Sequence, residues 1–300
     1  LGTGAMLAVS RVRPQLIRKL AFPVLGVSVV FLVLVFVPGI GRSENGATRW
    51  VSMGISFQPS EVAKLGIILS FAALISAFGE KMETFRWGIA PFGAILAVIV
   101  VLLRLEPHNS AIVIIVCTAG AMLFLGGVKY RWFILGGCAM LLGLVLILGA
   151  GGYEASRITA WRDPFSDPTD DGYQIIQSLY AIGSGGLFGL GFGQGRQKYL
   201  YLPEEHNDYI FSIVCEELGL VGAAAILLLY ALLILRGYWI SMHIRDRFLS
   251  LMVAGITTLT ALQVFFNIGV VTNLLPSTGI SLPFFSYGGT ALLIQLGEMG

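Results

Sequence analysis

Long apolar runs separated by short polar connections set the pattern of this 300-residue chain. A helix that crosses a bilayer needs roughly 20 mainly apolar residues. Seven runs meet or approach that length: Phe22–Val37, Ser60–Phe78, Gly88–Arg104, Ala111–Leu125, Trp132–Ala150, Tyr209–Leu235 and Phe248–Val270. Two more apolar stretches, Leu1–Val9 and Ser286–Gly300, read as parts of spans. Together they predict about nine visible helices, with further spans expected outside the sequence.

The basic residues sort onto alternate connections. Arg11, Arg13, Arg18, Lys19, Lys81, Arg86, Lys129, Arg131, Arg236, Arg245 and Arg247 fall in one set of short loops. Arg42, Arg49, Arg104, Arg157, Arg162, Arg196 and Lys198 fall in the other, four of them in one long segment. Short cytoplasmic loops carry the excess of Lys and Arg, so the first set is expected inside and the second outside. Two outer segments exceed what a simple connection needs. One is PGIGRSENGATRWVSMGISFQP, Pro38–Pro59. The other covers residues 151–208 within the single multi-pass domain expected for 1–300, and loops of such length usually carry function. Inside it, Tyr173–Phe192 is apolar and Gly-rich, which argues for a helix lying in or dipping into the outer interface rather than a stable span.

Composition removes the soluble alternatives. Hydrophobic residues make up 56% of the chain and charged residues 12%, with mean hydropathy +0.83. A soluble domain needs a larger polar shell than that. The 38 glycines suit helices packed closely in lipid. The net charge of +2 comes without a basic patch dense enough for nucleic acid. Cys117, Cys138 and Cys215 each sit in an apolar run and match no metal or disulfide spacing, which leaves core packing.

Ionisable groups at membrane depth are costly and are therefore functional candidates. Glu61 and Lys64 lie three apart on one predicted helix face. They can form a structural ion pair or present a charged wall to a cavity. Asp208 stands where an outer loop enters a long helix, with Ser212 and Glu216 at i+4 and i+8 on one stripe. Asn207 or Asp208 would serve as an N-cap there, and a carboxylate so held could also act as a general base on a sugar hydroxyl. His206 is a weaker candidate for that role. Arg49, Arg162, Arg196 and Lys198 are outer cations near membrane entry points. They could fork onto a pyrophosphate, or pair with Asp163, Asp167, Asp170 and Asp171 as solvated loop charge. Finally, LPSTGISLPFFSYGGTALL (Leu275–Leu293) sets prolines and glycines at an outer boundary, where they fix turns and permit a broken helix entry.

Five segments in order carry a resemblance: NGATRW (Asn45–Trp50), FQPSEVAKL (Phe57–Leu65), the loop Asp163–Gly195, LPEEHNDYIFSIVCEELGLVG (Leu202–Gly222) and Leu275–Leu293. Over nearly its whole length the chain resembles the shape, elongation, division and sporulation (SEDS) family, whose members include FtsW, RodA and SpoVE; the last motif looks closer to FtsW or SpoVE. The resemblance implies an all-α, polytopic, ten-span helical bundle in the bacterial cytoplasmic membrane. It implies a peptidoglycan glycosyltransferase that polymerises lipid II at the outer face, in division, elongation or sporulation, beside a class B penicillin-binding transpeptidase and other division or elongation proteins. The family's essential outer-loop aspartate falls on Asp208, and its polar cavity residues fall on Arg49, Glu61 and Lys64. One departure stands out: the usual Gln/Glu-Pro-Asp turn reads Glu106-Pro107-His108-Asn109, so no catalytic role is assigned there. Cations or a divalent metal ion, magnesium or manganese, would steady the leaving pyrophosphate; no protein metal ligands are assigned. Two rival readings are a lipid II flippase and a non-catalytic scaffold for the transpeptidase. Concentration of polar groups on the outer side, and the lack of an inverted repeat in the sequence, tilt against transport.

Overall fold

Apolar runs become helices because in lipid each backbone polar group must be satisfied within its own segment. The computed structural model describes residues 1–44, 47–52, 56–137, 153–166, 168, 172–197 and 207–300. Its helices are α1 (Gly2–Val9), α2 (Pro14–Leu34), α3 (Pro59–Phe78), α4 (Phe85–Gly88), α5 (Ala90–Leu105), α6 (Asn109–Leu125), α7 (Tyr153–Arg162), α8 (Tyr173–Ser184), α9 (Ile210–His243), α10 (Arg247–Val271) and α11 (Gly289–Met299). Five helical stretches among the described residues are long and apolar enough to cross a membrane, and α6 is a shorter apolar helix. The protein is an all-α, multi-pass membrane protein.

The predicted spans recur with shifted ends. Helix α2 starts at Pro14 rather than Phe22: proline suits the first helical turn, and long Arg18 and Lys19 stems can lie along apolar surface while their charges reach water. Helix α9 continues past Leu235 to His243 for the same reason, with Arg236 stacked 4.2 Å over the Trp239 ring. Most of the expected span Trp132–Ala150, including Cys138, lies outside the described residues; 130–137 are helical.

The segment Pro38–Pro59 departs from a purely helical reading. It folds as a three-stranded antiparallel sheet, β1 (Gly41–Glu44), β2 (Ala47–Ser52) and β3 (Ser56–Phe57), with Arg42 opposite Trp50 and Val51 opposite Phe57. Val51 is fully buried, so even this short sheet has an apolar inner position.

The chain divides into two compact units. The first comprises Leu1–Phe133, Ile234–Leu262 and Gly288–Gly300. Its centre is α3, 61% buried over its apolar window against 22% for α2. Phe71 and Phe92 meet edge-to-face at 4.8 Å between α3 and α5. The second comprises Ile134–Leu233 and Gln263–Tyr287. Tyr209, Phe211, Tyr230, Val264, Val271 and Leu282 are among the residues that form its core.

Within the second unit, α9 is broken. Gly219 has φ 67° and ψ −169°, which no helix contains. A break frees carbonyls and amides that lipid cannot satisfy. The Gly-rich turn after α8 supplies their partners. Leu190 N donates to Glu216 O at 2.9 Å and Gly191 N to Glu217 O at 3.1 Å. In return, Leu220 N donates to Gly186 O at 2.9 Å and Val221 N to Leu187 O at 3.1 Å. The backbones approach so closely that a Cβ on Gly189 would lie 2.1 Å from Glu217 O, and one on Gly219 would lie 2.3 Å from Gly189 N. The apolar, Gly-rich stretch is thus a short helix followed by a turn that mends a membrane helix.

Candidate active site

In the first unit, the i,i+3 spacing on α3 brings Lys64 Nζ to 2.7 Å from Glu61 Oε1, with both side chains buried. Each desolvated charge is compensated by the other. Removing one partner from such a pair costs about 3–5 kcal/mol, whereas replacing both costs far less. Lys64→Met is therefore expected to lower thermal stability in detergent strongly, and the Glu61→Gln/Lys64→Met double variant to recover most of the loss.

Arg49 leaves β2 and donates Nη2–H to Pro107 O at 2.6 Å, which ties the sheet to the α5–α6 turn. That turn holds two groups the sequence reading set aside. Glu106 is 1% exposed, and neither carboxyl oxygen has a hydrogen-bond partner among the described residues. Burial pushes its carboxyl up to about 8 against the opposing pull of Arg49. His108, also buried, is pushed down to about 3, first by burial and then by the charges of Arg49 and Lys64. Its Nε2 lies 3.4 Å from Gln58 Nε2. Burial thus favours the uncharged form of both groups. An acid raised by folding loses stability as pH rises through its folded value. Melting temperature is expected to fall as pH climbs from the ordinary carboxyl range to about 8 and to level off above it, and Glu106→Gln is expected to flatten that fall. The available signal was a carboxylate beside a proline in a turn between two spans.

In the second unit, Asp208 sits in the turn immediately before α9. The neighbouring Tyr209 ring is buried, and its hydroxyl lies 3.5 Å from Ser277 Oγ. Arg157 on α7 donates Nη1–H to Ser277 O at 2.9 Å, and the charges of Asp208 and Arg157 both act on the Tyr209 phenol. A carboxylate, a guanidinium and a hydroxyl thus share one neighbourhood. Arg157 was not singled out from sequence, because nothing there marks a partner 120 residues away. Helix α7 is tied to the end of α10 as well: Trp161 Nε1 donates to Asn273 O at 3.1 Å.

The remaining sequence candidates separate. Ser212 is fully buried, and its hydroxyl lies 2.7 Å from that of Ser178, which also donates to Val271 O at 2.7 Å. It joins α8, α9 and α10. Glu216 is 1% exposed, and its Oε1 accepts Arg196 N at 2.8 Å. Glu217 Oε2 accepts Gly193 N at 2.9 Å. These two carboxylates hold the returning turn by its backbone. The side chains of Arg162 and Arg196 are exposed. Lys198 and His206 lie outside the described residues. Among the described residues, no three His, Cys, Asp or Glu side chains converge to cradle a metal ion.

The comparisons with known proteins agree with one another. The family model described as Cell cycle protein, covering FtsW, RodA and SpoVE, matches residues 1–300. The chain is 40% identical over 302 aligned positions to a Geobacter metallireducens protein named Probable peptidoglycan glycosyltransferase FtsW, covering 100% of this chain and 80% of that one. It is 42% identical over 270 residues to stage V sporulation protein E of Bacillus subtilis, covering 90% and 74%. Among solved structures, a chain of a peptidoglycan synthase complex that coordinates polymerization and crosslinking superposes with TM-score 0.84 at 29% identity, covering 99% and 84%. The rod shape determining protein RodA of Thermus thermophilus gives 0.71 at 28% identity, covering 99% and 81%. The chain belongs to the FtsW, RodA and SpoVE family of cell cycle proteins.

Proposed function

We propose that this protein is a peptidoglycan glycosyltransferase that polymerises lipid II at the outer face of the cytoplasmic membrane. The observation that carries the reading is Asp208, a carboxylate in a held turn at the mouth of a membrane helix, with the Arg157 guanidinium in the same neighbourhood. Family membership and the names of its relatives supply the reaction class.

In the proposed reaction, the 4-hydroxyl of an incoming lipid II attacks the anomeric carbon of the lipid-linked end of the growing strand. Asp208 accepts the hydroxyl proton as the new glycosidic bond forms. The bond from the anomeric carbon to the pyrophosphate oxygen breaks, and the lipid pyrophosphate leaves with the electron pair. Arg157 meets the charge that develops there, a role suited to a planar fork of donors. Arg49, Glu61 and Lys64 form a separate polar cluster of the first unit, proposed to bind the polar part of a lipid-linked substrate. Arg162, Arg196 and Lys198 are proposed to attract that anionic substrate from the outer side. The family's solved synthase complex couples polymerization to crosslinking, so a class B penicillin-binding transpeptidase is the proposed partner.

Purified protein, with and without that transpeptidase, is to be incubated with lipid II in detergent and the products sized on a gel. A ladder of lengthening glycan is expected. Detergent offers no two sides to transport between, so unchanged lipid II under all conditions would overturn the reading in favour of a flippase or a scaffold.

A further inference from the structure

The turn that carries Asp208 is gripped from two places far away in sequence. Asn267 on α10 is 1% exposed. Its Nδ2 donates to Asp208 O at 2.7 Å and to Ile280 O at 2.7 Å. Both amide hydrogens are thereby used, and this assigns the orientation of the amide, because its oxygen turned that way would face two acceptors. One residue earlier, Asn207 O accepts a hydrogen bond from Ser286 Oγ at 2.7 Å. Ser286 Oγ in turn accepts Leu282 N at 2.7 Å. Ile280, Leu282 and Ser286 all belong to the Pro- and Gly-rich segment that the sequence marked only as a structural device.

The geometry of these two bonds is specific. The carbonyl of Asn207 lies in the peptide plane before the Asp208 Cα, and the carbonyl of Asp208 lies in the plane after it. Peptide planes are rigid, and the two rotations between these planes are φ and ψ of Asp208. Holding both planes fixes both rotations and so fixes the direction in which the Asp208 side chain leaves the backbone. We propose that Asn267 and Ser286 are positioning residues for the glycosyl transfer, acting together as a clamp on the Asp208 backbone. The proposal rests on Asp208 being the base. It explains why a carboxylate in a turn, rather than in regular structure, can be kept at one place: a general base must lie within hydrogen-bond reach of the proton it takes. Misplacement by about 1 Å can cost about 100-fold in rate.

The test uses the full protein in detergent with lipid II, measuring kcat and KM separately beside melting temperature. Asn267→Ala is expected to lower kcat by about 100-fold with KM within about twofold. Ser286→Ala, which releases one plane only, is expected to lose less, about tenfold. Ser286→Thr keeps the hydroxyl and is expected to stay near the unmodified rate. A loss of folded protein alone would lower kcat in step with the melting behaviour and would not distinguish Ala from Thr at position 286. Unmodified kcat in Asn267→Ala, or in Ser286→Ala should Asn267→Ala not fold, would overturn the clamp. Such a result beside an inactive Asp208→Asn would remove the clamp alone. An active Asp208→Asn would remove the base and the reading above with it.

Discussion

Asp208→Asn is expected to insert, fold and bind lipid II like the unmodified protein, yet to lose polymerisation by about 1,000-fold or more. Positioned general bases contribute typically 10²–10⁴-fold. An amide of the same shape keeps one acceptor oxygen in place but cannot take the proton. The backbone bonds from Asn267 and Ser286 go to main-chain oxygens, so the substitution leaves them in place. Retained melting temperature with lost product length is therefore the expected pair of readings. Full activity would show that another group takes the proton.

The second large effect is expected at the break in α9. Gly219→Ala places a Cβ on a left-handed backbone, and that atom would lie 2.3 Å from Gly189 N and 2.6 Å from the carbonyl carbon and oxygen of Leu187. None of these is the end of a flexible side chain, so relief requires the turn to leave the helix. Leaving it strands the amides and carbonyls that the turn now pairs, each a group that is costly to bury unpaired. Loss of several kcal/mol is expected, about the range of the most disruptive single changes. The readout is melting temperature and monodispersity in detergent. Gly183→Ala is the control: it lies inside α8, nothing stands within 4 Å of the added methyl, and no loss is expected. Equal behaviour of the two variants would refute the account of the mended helix.

Local patterns were legible in the sequence, and pairings across long stretches were not. The spans follow from runs of apolar residues, and the Glu61–Lys64 pair follows from an i,i+3 spacing, so both could be read directly. Asp208 could be placed at a helix mouth because the polar-to-apolar change at that point is sharp. The sheet at 41–57 was missed because its strands are two to six residues long and their alternation is weak. The glycines before Gly195 argued correctly against a spanning helix. Nothing in their spacing said that a second break, at Gly219, would receive the turn. Asn267 and Asp208 are 59 residues apart, and Arg157 and Ser277 are 120 apart. Only folding brings such partners into contact. Glu106 was set aside because His108 stands where the usual turn has an aspartate. Its burial, which is what perturbs it, cannot be seen from composition.

The order of synthesis gives the adjacent acids Glu216 and Glu217 a further consequence. The segment whose amides receive them precedes them in the chain, so it has left the ribosome before α9 enters the membrane. Two negative charges that would resist insertion by themselves meet their neutralising dipoles already made. A circular permutation that delivered residues 185–197 after α9 would ask the helix to enter bare, and its yield in the membrane should fall even though every final contact could still form.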